Sequence, residues 1–73
     1  MPTMPIDQDV ISKVGRVSGR IAPGLVGEVM LPIRGGSEAF NAFAIDPTAV
    51  LERGSRVIVI EFEPPRTVRV DPY

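Results

Sequence analysis

The 73-residue sequence contains no cysteine, no histidine and no tryptophan. The absence of cysteine excludes disulfide bonds, and without cysteine and histidine the two commonest zinc ligands are missing. The usual general base and thiol nucleophile of enzymes are missing for the same reason. We therefore predict that the protein is not an enzyme and holds no cofactor. A domain of this size buries only about 60% of its unfolded surface, so its stability depends on an economical core or on a partner.

Charge of one sign is not in excess. Eight lysine and arginine residues oppose nine aspartate and glutamate residues, which gives a net charge of −1. The strongly basic composition of many nucleic-acid-binding domains is absent, as is a polybasic membrane patch. No apolar run approaches the roughly 18 residues that a transmembrane helix needs. The N-terminal residues lack the basic cluster and apolar segment of a signal peptide, so we expect the chain as given to be soluble.

The sequence is instead rich in short alternating segments separated by glycine and proline. Residues 15–36 are the most regular of these, and they predict two strands joined by a turn at Pro23-Gly24 and closed by a turn at Gly35-Gly36. Proline followed by glycine is typical of a type II turn, and a Gly-Gly pair is typical of a hairpin. The rest of the chain is organised around this hairpin.

Three glycines, Gly15, Gly19 and Gly27, share the parity of the apolar residues in these two strands. They match no dinucleotide-binding or phosphate-binding fingerprint, because no helix follows them. Glycine inside a strand is typical of tight coiling, which a small barrel requires. We therefore expect all three to face inward and shape the barrel, and a bulky substitution at Gly19 or Gly27 to unfold it.

Three further strands are predicted at about residues 37–45, 56–62 and 67–71. Between the first two of them, Asp46 as N-cap and Gly54 as stop signal indicate one or two helical turns. The whole pattern predicts an all-β protein, a small five-stranded OB-fold (Greek-key) barrel with at most one short helical turn after the third strand. Periodicity does not separate this fold from a short SH3-like barrel.

The first residues of the chain differ in pattern from the rest. Residues 1–13 show no periodicity, and we predict that they form a flexible N-terminal lead or linker, with residues 14–73 as the barrel domain. If the chain is a piece of a larger protein, we expect the missing part to precede it. The predicted helical turn is expected to pack Val50 or Leu51 against the end of the barrel.

Three residue pairs resemble catalytic pairs only by their proximity in the sequence. They are Asp7 and Asp9, Glu61 and Glu63, and Ser12 and Lys13. The first and the last pair lie in the predicted lead, which would not supply the rigid geometry that catalysis needs. The middle pair shares one parity of the fourth strand, which is typical of a solvated face. We expect none of them to be catalytic.

Single-stranded nucleic acid is the alternative ligand, because many OB-folds bind it through a basic groove and stacking aromatic side chains. The chain has three phenylalanines, one tyrosine and a single lysine, and we expect the phenylalanines to be core or semi-buried residues. Arg16, Arg20 and Arg34 could form a basic stripe, but Glu28 and Glu38 lie among them. Binding to nucleic acid is therefore not expected.

Protein binding is the function class that remains. Val26 and Met30 fall on the outward parity of the second strand, and Ile58 and Ile60 fall on that of the fourth. Outward aliphatic side chains on a small barrel often mark a docking surface. The alternative is that they lie under the helical turn or the N-terminal lead.

The charged residues of the hairpin lie on the same outer side. Glu28 is placed to pair with Arg16 or Arg20 across the two strands. With the aliphatic residues of the second strand, they make up the surface that we predict to bind a partner. Its residues are Arg16, Arg20, Val26, Glu28 and Met30.

Four segments of the sequence together resemble the C-terminal domain of NfeD-like proteins. They are GRVSGRIAPGLVGEVMLP, then Phe40-Asn41-Ala42, then ERGSRVIV at residues 52–59, then Val68-Arg69-Val70. The resemblance spans residues 14–71 and lies in positions that determine a fold. Two departures from the family pattern are the contiguous Pro23-Gly24 and the Pro64-Pro65 pair between the last strands.

The resemblance implies a five-stranded OB-fold barrel with Phe40, Ala42, Val57 and Val59 facing inward. Members of the family usually carry this domain after transmembrane helices, and some also carry a ClpP-class serine-protease domain. Neither is seen in these 73 residues, so the resemblance does not bring protease activity with it.

The resemblance also implies a partner and a location. It implies a module that works with a stomatin- or flotillin-like membrane-scaffold protein, either in the cytoplasm or attached to the inner membrane through a missing N-terminal segment or the partner. A purely structural domain that spaces other domains is a further alternative. No binding residue is carried over from the family.

Overall fold

In the computed structural model, which describes residues 10–73, five strands form a closed barrel. The strands are β1 Val14–Gly19, β2 Gly27–Ile33, β3 Gly36–Ala44, β4 Arg56–Glu63 and β5 Thr67–Pro72. Their order around the barrel is β1-β2-β3-β5-β4, and β1 pairs with β4 to close it. Only β3 and β5 run parallel. This topology is that of the OB-fold, so the predicted fold class is confirmed over the SH3-like alternative.

Alternation of side chains between the two faces of each strand builds the core. In β2, Val29, Leu31 and Ile33 are buried while Glu28 and Pro32 are exposed. The inward positions of Phe40, Ala42, Val57 and Val59 are confirmed. The thirteen buried hydrophobic residues are Val10, Val17, Ile21, Val29, Leu31, Ile33, Phe40, Ala42, Leu51, Val57, Val59, Val68 and Val70. No buried residue in the described part of the chain is polar or charged, so the core is apolar throughout.

A bulge in β4 changes which residues face inward. Val59 pairs with Val70, but the next partner of β5, Arg69, pairs with Glu61, which leaves Ile60 as the extra residue. Beyond it Phe62 turns toward the core, where its ring meets that of Phe40 edge-on at 6.4 Å. Strict alternation from Val59 would have placed Phe62 outside.

A second bulge, in β1, separates the three glycines that the sequence groups together. Val17 pairs with Val29, but Gly19 pairs with the exposed Glu28. Gly19 therefore lies on the outer face, and the prediction that it faces the core is wrong. Gly27 is buried against Ile21.

The sequence predicts the position of the first tight turn correctly and that of the second one residue too late. At Pro23-Gly24, the Leu25 N–H donates to the Ala22 carbonyl at 3.0 Å and Gly24 has a φ of +75°, as the predicted type II turn requires. The second turn is centred one residue before its predicted position. Arg34 and Gly35 both have positive φ, +49° and +83°, which is the type I′ pattern of a two-residue hairpin loop.

The connection from β3 to β4 contains a turn and no helix. The Thr48 backbone N–H donates to the Asp46 carboxylate at 2.9 Å, and the Ala49 N–H donates to the Asp46 carbonyl at 3.0 Å. The chain then runs to Leu51, which exchanges two backbone hydrogen bonds with Ile21, at 3.0 and 2.8 Å. This pairing takes the backbone away from a helical path. It buries Leu51 and leaves Val50 exposed, so Leu51 is the residue that packs on the barrel end.

The last residues of the predicted lead belong to the folded part. Val10 is 1% exposed and lies in the core. The Ser12 N–H donates to the Val59 carbonyl at 2.8 Å, and the Val59 N–H donates to the Lys13 carbonyl at 2.9 Å. Residues 10–13 thus extend the β1 edge along β4 because an apolar side chain anchors them. The predicted boundary places residues 10–13 in the lead, whereas the structure places them with the barrel. Residues 1–9 lie outside the described part.

Candidate docking face on β2, β1 and β4

Strand register brings two arginines side by side on the outside of the barrel. Arg16 of β1 pairs with Met30 of β2 on one side and with Arg56 of β4 on the other. The Tyr73 N–H donates to the Arg56 carbonyl at 3.0 Å, which adds Tyr73 to the same row. Directly opposed residues point to the same face of a sheet. We call Met30, Arg16, Arg56 and Tyr73 the arginine row.

The two guanidinium groups of the arginine row are each held by an uncharged neighbour. Arg16 Nη1 donates to the Gly54 carbonyl at 3.0 Å. The Arg56 guanidinium lies over the Tyr73 ring, 5.9 Å from its centroid. Like charges opposed across a strand pair repel. Within residues 10–73 neither arginine forms an ion pair, although Asp71 of β5 lies on the same outer face.

Three other arginines of the barrel form ion pairs with carboxylates. Arg20 pairs with Glu52 at 3.2 Å and Arg66 pairs with Glu38 at 3.0 Å. Arg69 forms ion pairs with two glutamates of β4 at 2.9 and 3.8 Å. The arginine row is therefore a local concentration of positive charge on a molecule whose net charge is −1.

An apolar pair lies next to the arginine row. Val14 of β1 pairs with Ile58 of β4, two residues along each strand from Arg16 and Arg56. Both side chains are half-buried, as is Met30 on the other side of β1. We call the arginine row together with Val14 and Ile58 the docking face. It is a mixed surface of guanidinium, aliphatic, thioether and aromatic groups on three paired strands and the residue after β5.

The structure brings together only part of the surface predicted from the hairpin. Arg16 and Met30 are register partners on the outer face. Arg20 turns away to Glu52, because the neighbouring Ile21 is bonded to the segment at residue 51. Val26 is 54% exposed but lies in the loop before β2.

The predicted pairing of Glu28 with Arg16 or Arg20 is wrong. The Ser18 hydroxyl donates to the Glu28 carboxylate at 2.8 Å instead. The bulge after Val17 explains this, because it places the Ser18-Gly19 segment opposite Glu28. Whether Glu28 contacts a partner stays a prediction.

The outward aliphatic residues also separate into two groups. Met30 and Ile58 flank β1 from opposite sides, so both belong to the docking face. Ile60 is exposed at the β4 bulge, and Val26 is in the loop before β2. In the described residues no helical turn covers any of them.

Arg56 and Tyr73 were not identified from the sequence. The signal that points to Arg56 is parity, because it alternates with the buried Val57 and shares the outward side with Ile58. Its position opposite Arg16 depends on the pairing of β1 with β4, strands that are forty residues apart in the chain. Periodicity within a strand carries no information on that pairing.

The residues considered for catalysis have structural partners or lie outside the described part. Glu61 and Glu63 both contact the Arg69 guanidinium, which itself lies over the Phe43 ring at 5.3 Å from its centroid. Ser12 is held in a turn with a φ of +73°. Asp7 and Asp9 lie outside the described residues. No group of three or more potential metal ligands occurs within residues 10–73.

The phenylalanines pack against the barrel and also line two surface cavities. Phe40 and Phe62 line one of them with Arg66, and Phe43 lines the other with Arg69. Phe40 is buried, Phe62 packs against it, and the Arg66 guanidinium lies over Phe40 at 5.0 Å. Phe43 is half-buried beneath Arg69. The arginine in each cavity is paired with a glutamate, Arg66 with Glu38 and Arg69 with Glu63. A helix of the length and hydropathy of a membrane span is not found in residues 10–73.

One carboxyl group on the β3–β4 connection has a perturbed pKa. The Thr48 backbone N–H and the Thr48 hydroxyl both donate to Asp46 Oδ1, at 2.9 and 2.8 Å. These hydrogen bonds favour the ionised form and lower the pKa of Asp46, the backbone bond contributing more than the hydroxyl. Asp46 is exposed and contributes to the turn rather than to the docking face.

Comparison with known families and structures agrees with this geometry. The family model described as the NfeD C-terminal domain matches residues 14–71, which include all five strands except the last residue of β5. The comparison with curated proteins gives no match.

Several solved structures share the fold. The soluble domain of the NfeD protein YuaF from Bacillus subtilis has a TM-score of 0.76 at 23% identity, covering 89% of this chain and 75% of that one. The soluble domain of a Corynebacterium glutamicum membrane protein implicated in regulation of membrane protease activity has a TM-score of 0.76 at 23% identity, with 90% and 95% coverage. The C-terminal domain of stomatin operon partner protein 1510-C from Pyrococcus horikoshii has a TM-score of 0.68 at 24% identity, covering 92% of each chain.

Proposed function

The chain belongs to the NfeD C-terminal domain family, and from this we propose that it is a non-enzymatic protein-interaction module working with a stomatin- or flotillin-like membrane-scaffold protein. The observation that carries the proposal is the family match, taken with the similarity to a domain named as that of a stomatin operon partner protein. The name describes the relative, and the proposal extends the association to this chain.

The outer surface of the barrel supports an interaction role. The docking face offers two guanidinium groups that form no ion pair within residues 10–73, beside aliphatic and aromatic side chains. Arginine, methionine and tyrosine are enriched at protein–protein interfaces. Strand pairing fixes the backbone and register of these residues, which lowers the entropy cost of binding relative to a flexible loop.

The non-enzymatic part of the proposal rests on residue chemistry. The chain has neither histidine nor cysteine, and the Glu61 and Glu63 carboxylates are engaged by Arg69. We further propose that the protein acts at the inner membrane, attached through the scaffold or through a segment outside the described residues. Two of the similar structures are described as soluble domains, one of them of a membrane protein, which supports this location.

Binding to a reconstituted scaffold tests the proposal. The 73-residue chain would be titrated onto liposomes that carry the stomatin- or flotillin-like protein of the same organism, with protein-free liposomes of the same lipids as the control. We expect saturable binding only where the scaffold is present. Equal binding to both liposomes, or none to either, would contradict the proposal.

A second titration addresses the nucleic-acid alternative. Single-stranded oligonucleotides would be offered to the same chain at low and high salt. Tight binding that weakens steeply with salt would favour a nucleic-acid-binding OB-fold instead. We expect no such binding, because the arginines beside the phenylalanine rings are paired with glutamates and the net charge of the chain is −1.

A further inference from the structure

We propose that the docking face recognises an acidic segment of a partner protein, in which the carboxylate of an aspartate or glutamate binds between Arg16 and Arg56. The inference deepens the proposed function and rests on it, since it names the surface of the interaction module and the chemistry of what binds there. The juxtaposition that carries it is the pairing of Arg16 with Arg56 across β1 and β4.

The two arginines are arranged to accept an anion. Opposed side chains on a strand pair have Cβ atoms about 4.5–5.5 Å apart, so their charges repel. The Gly54 carbonyl accepts a hydrogen bond from the Arg16 guanidinium, and the Arg56 guanidinium lies over the Tyr73 ring. Because a guanidinium has five N–H donors, each arginine keeps donors for a ligand. A carboxylate between them would accept charge-assisted hydrogen bonds from both and remove their repulsion.

The neighbouring side chains indicate what flanks the carboxylate. Val14 and Ile58 offer a half-buried aliphatic pair on one side of the arginine row. Met30 and Tyr73 form its two ends, and Tyr73 is 67% exposed. Methionine adapts its shape to a partner, and aromatic side chains contribute much of the energy at interface centres. The segment that fits is therefore an acidic residue with apolar neighbours.

A peptide segment fits this face better than a lipid surface does. Recognition of anionic lipid by charge is typical of clusters of four to eight basic residues, and the arginine row contains two. The exposed part of the face is the surface of paired strands, whereas membrane insertion calls for a larger apolar face. The planar fork of a guanidinium matches the planar geometry of a carboxylate.

A binding titration with a defined probe tests the proposal. The probe is a short acetylated and amidated peptide in which leucine and glutamate alternate, and the matched peptide has glutamine in place of glutamate. Heteronuclear NMR of the 73-residue chain would follow both titrations. We expect shifts concentrated at Arg16, Met30, Arg56 and Ile58, and a Kd at least about fivefold weaker for the glutamine peptide.

Variants of the arginines separate this face from general charge attraction. Arg16→Gln and Arg56→Gln should each weaken binding of the glutamate peptide about three- to tenfold, as loss of a charge-assisted contact predicts. Arg34→Gln is the control, because it removes an exposed arginine in the β2–β3 turn. It should leave the Kd unchanged. Thermal unfolding of each variant confirms that it is folded.

Several results would overturn the proposal. They are no detectable binding of the glutamate peptide, shifts away from the docking face, equal affinity for the two peptides, or an equal loss with Arg34→Gln. Vesicles with and without phosphatidylserine provide a further arm. Binding to the anionic vesicles that depends on Arg56, without binding of the peptide, would assign the face to lipid.

The same variants distinguish this inference from the proposed function. If the scaffold-bearing liposomes bind the chain and Arg16→Gln and Arg56→Gln leave that affinity unchanged, the docking face is wrong and the proposed function stands. If those liposomes do not bind while the glutamate peptide binds at the arginine row, the proposed partner is wrong and the face stands. If the two variants weaken binding to the scaffold-bearing liposomes and also to the glutamate peptide, the proposed function and the docking face are both supported.

Discussion

Replacement of Gly27 by alanine is expected to destabilise the barrel strongly. Gly27 opens β2 and is buried. A Cβ at this position would overlap Ile21 Cγ1 and would come within 2.7 Å of the Gly19 carbonyl oxygen and 2.9 Å of the Arg20 carbonyl oxygen. Two of these three contacts are backbone atoms, which cannot move aside by a change of rotamer. The chain must therefore shift where β1 ends.

The loss of stability expected for Gly27→Ala can be expressed as a free energy and as a change in Tm. Overpacking of this kind typically costs about 1–3 kcal/mol. A chain of this length has a total stability of roughly 4–11 kcal/mol at 0.05–0.15 kcal/mol per residue. With about 4–8 °C of Tm lost per kcal/mol in domains of this size, Gly27→Ala should lower Tm by about 4–24 °C.

Gly36→Ala is the matched control. Gly36 is also the first residue of a strand, but the nearest atom to an added Cβ is the Ile33 carbonyl oxygen at 3.8 Å, an ordinary contact. Alanine restricts the unfolded chain more than glycine does, so this variant should be neutral or slightly stabilising. Gly19→Ala should fall between the two, since its Cβ would lie 3.2 Å from Glu28 Cβ.

Circular dichroism melts of the three variants and the parent measure the effect. The expected order of Tm is Gly36→Ala highest, then Gly19→Ala, then Gly27→Ala. A Tm of Gly27→Ala equal to that of Gly36→Ala would refute the close-contact argument. So would Gly19→Ala as the most damaging of the three, because that would mean Gly19 faces the core.

Two further predictions concern the core and one turn. Leu31→Ala should lower the free energy of unfolding, measured with urea, by about 2–5 kcal/mol because Leu31 is fully buried. Leu25→Ala, at an exposed site, should change it by no more than about 0.5 kcal/mol, and similar losses for the two variants would contradict the assigned core. Asp46 has a lowered pKa in the folded state, so its contribution to stability is present above the unfolded pKa of about 4 and is lost as pH falls through the folded pKa. Thr48→Val removes the hydroxyl but keeps the N–H, and an NMR pH titration should show the Asp46 pKa rise part of the way toward its usual value; no rise would show that the hydroxyl does not contribute.

Local pattern was sufficient for much of the fold. Alternation in residues 27–33 identifies the buried side of β2 because side chains of a strand point alternately to its two faces. Pro23-Gly24 identifies its turn because proline and glycine satisfy the two φ values that the turn needs. Neither conclusion depends on any distant residue.

Local pattern predicted neither the two bulges nor the face on which the residues beyond them lie. Periodicity places Gly19 inside, and the structure reverses this because an extra residue in β1 flips the faces. The extra residue in β4 likewise lets Phe62 reach the core, as expected of it, where strict alternation from Val59 would not. The helical signal at Asp46 and Gly54 was likewise overridden. The backbone pairing of Ile21 with Leu51 favours an extended path there.

The sequence by itself determined the number of strands, most of the core and the absence of cysteine and histidine chemistry. Those properties follow from composition and from alternation within a strand, which are local. Only the tertiary structure decided that Arg16 and Arg56 are neighbours and that Arg20 and Glu28 have other partners. The physical reason is that barrel closure pairs strands by register, and the register of β1 with β4 is set by the packing of both against a common core.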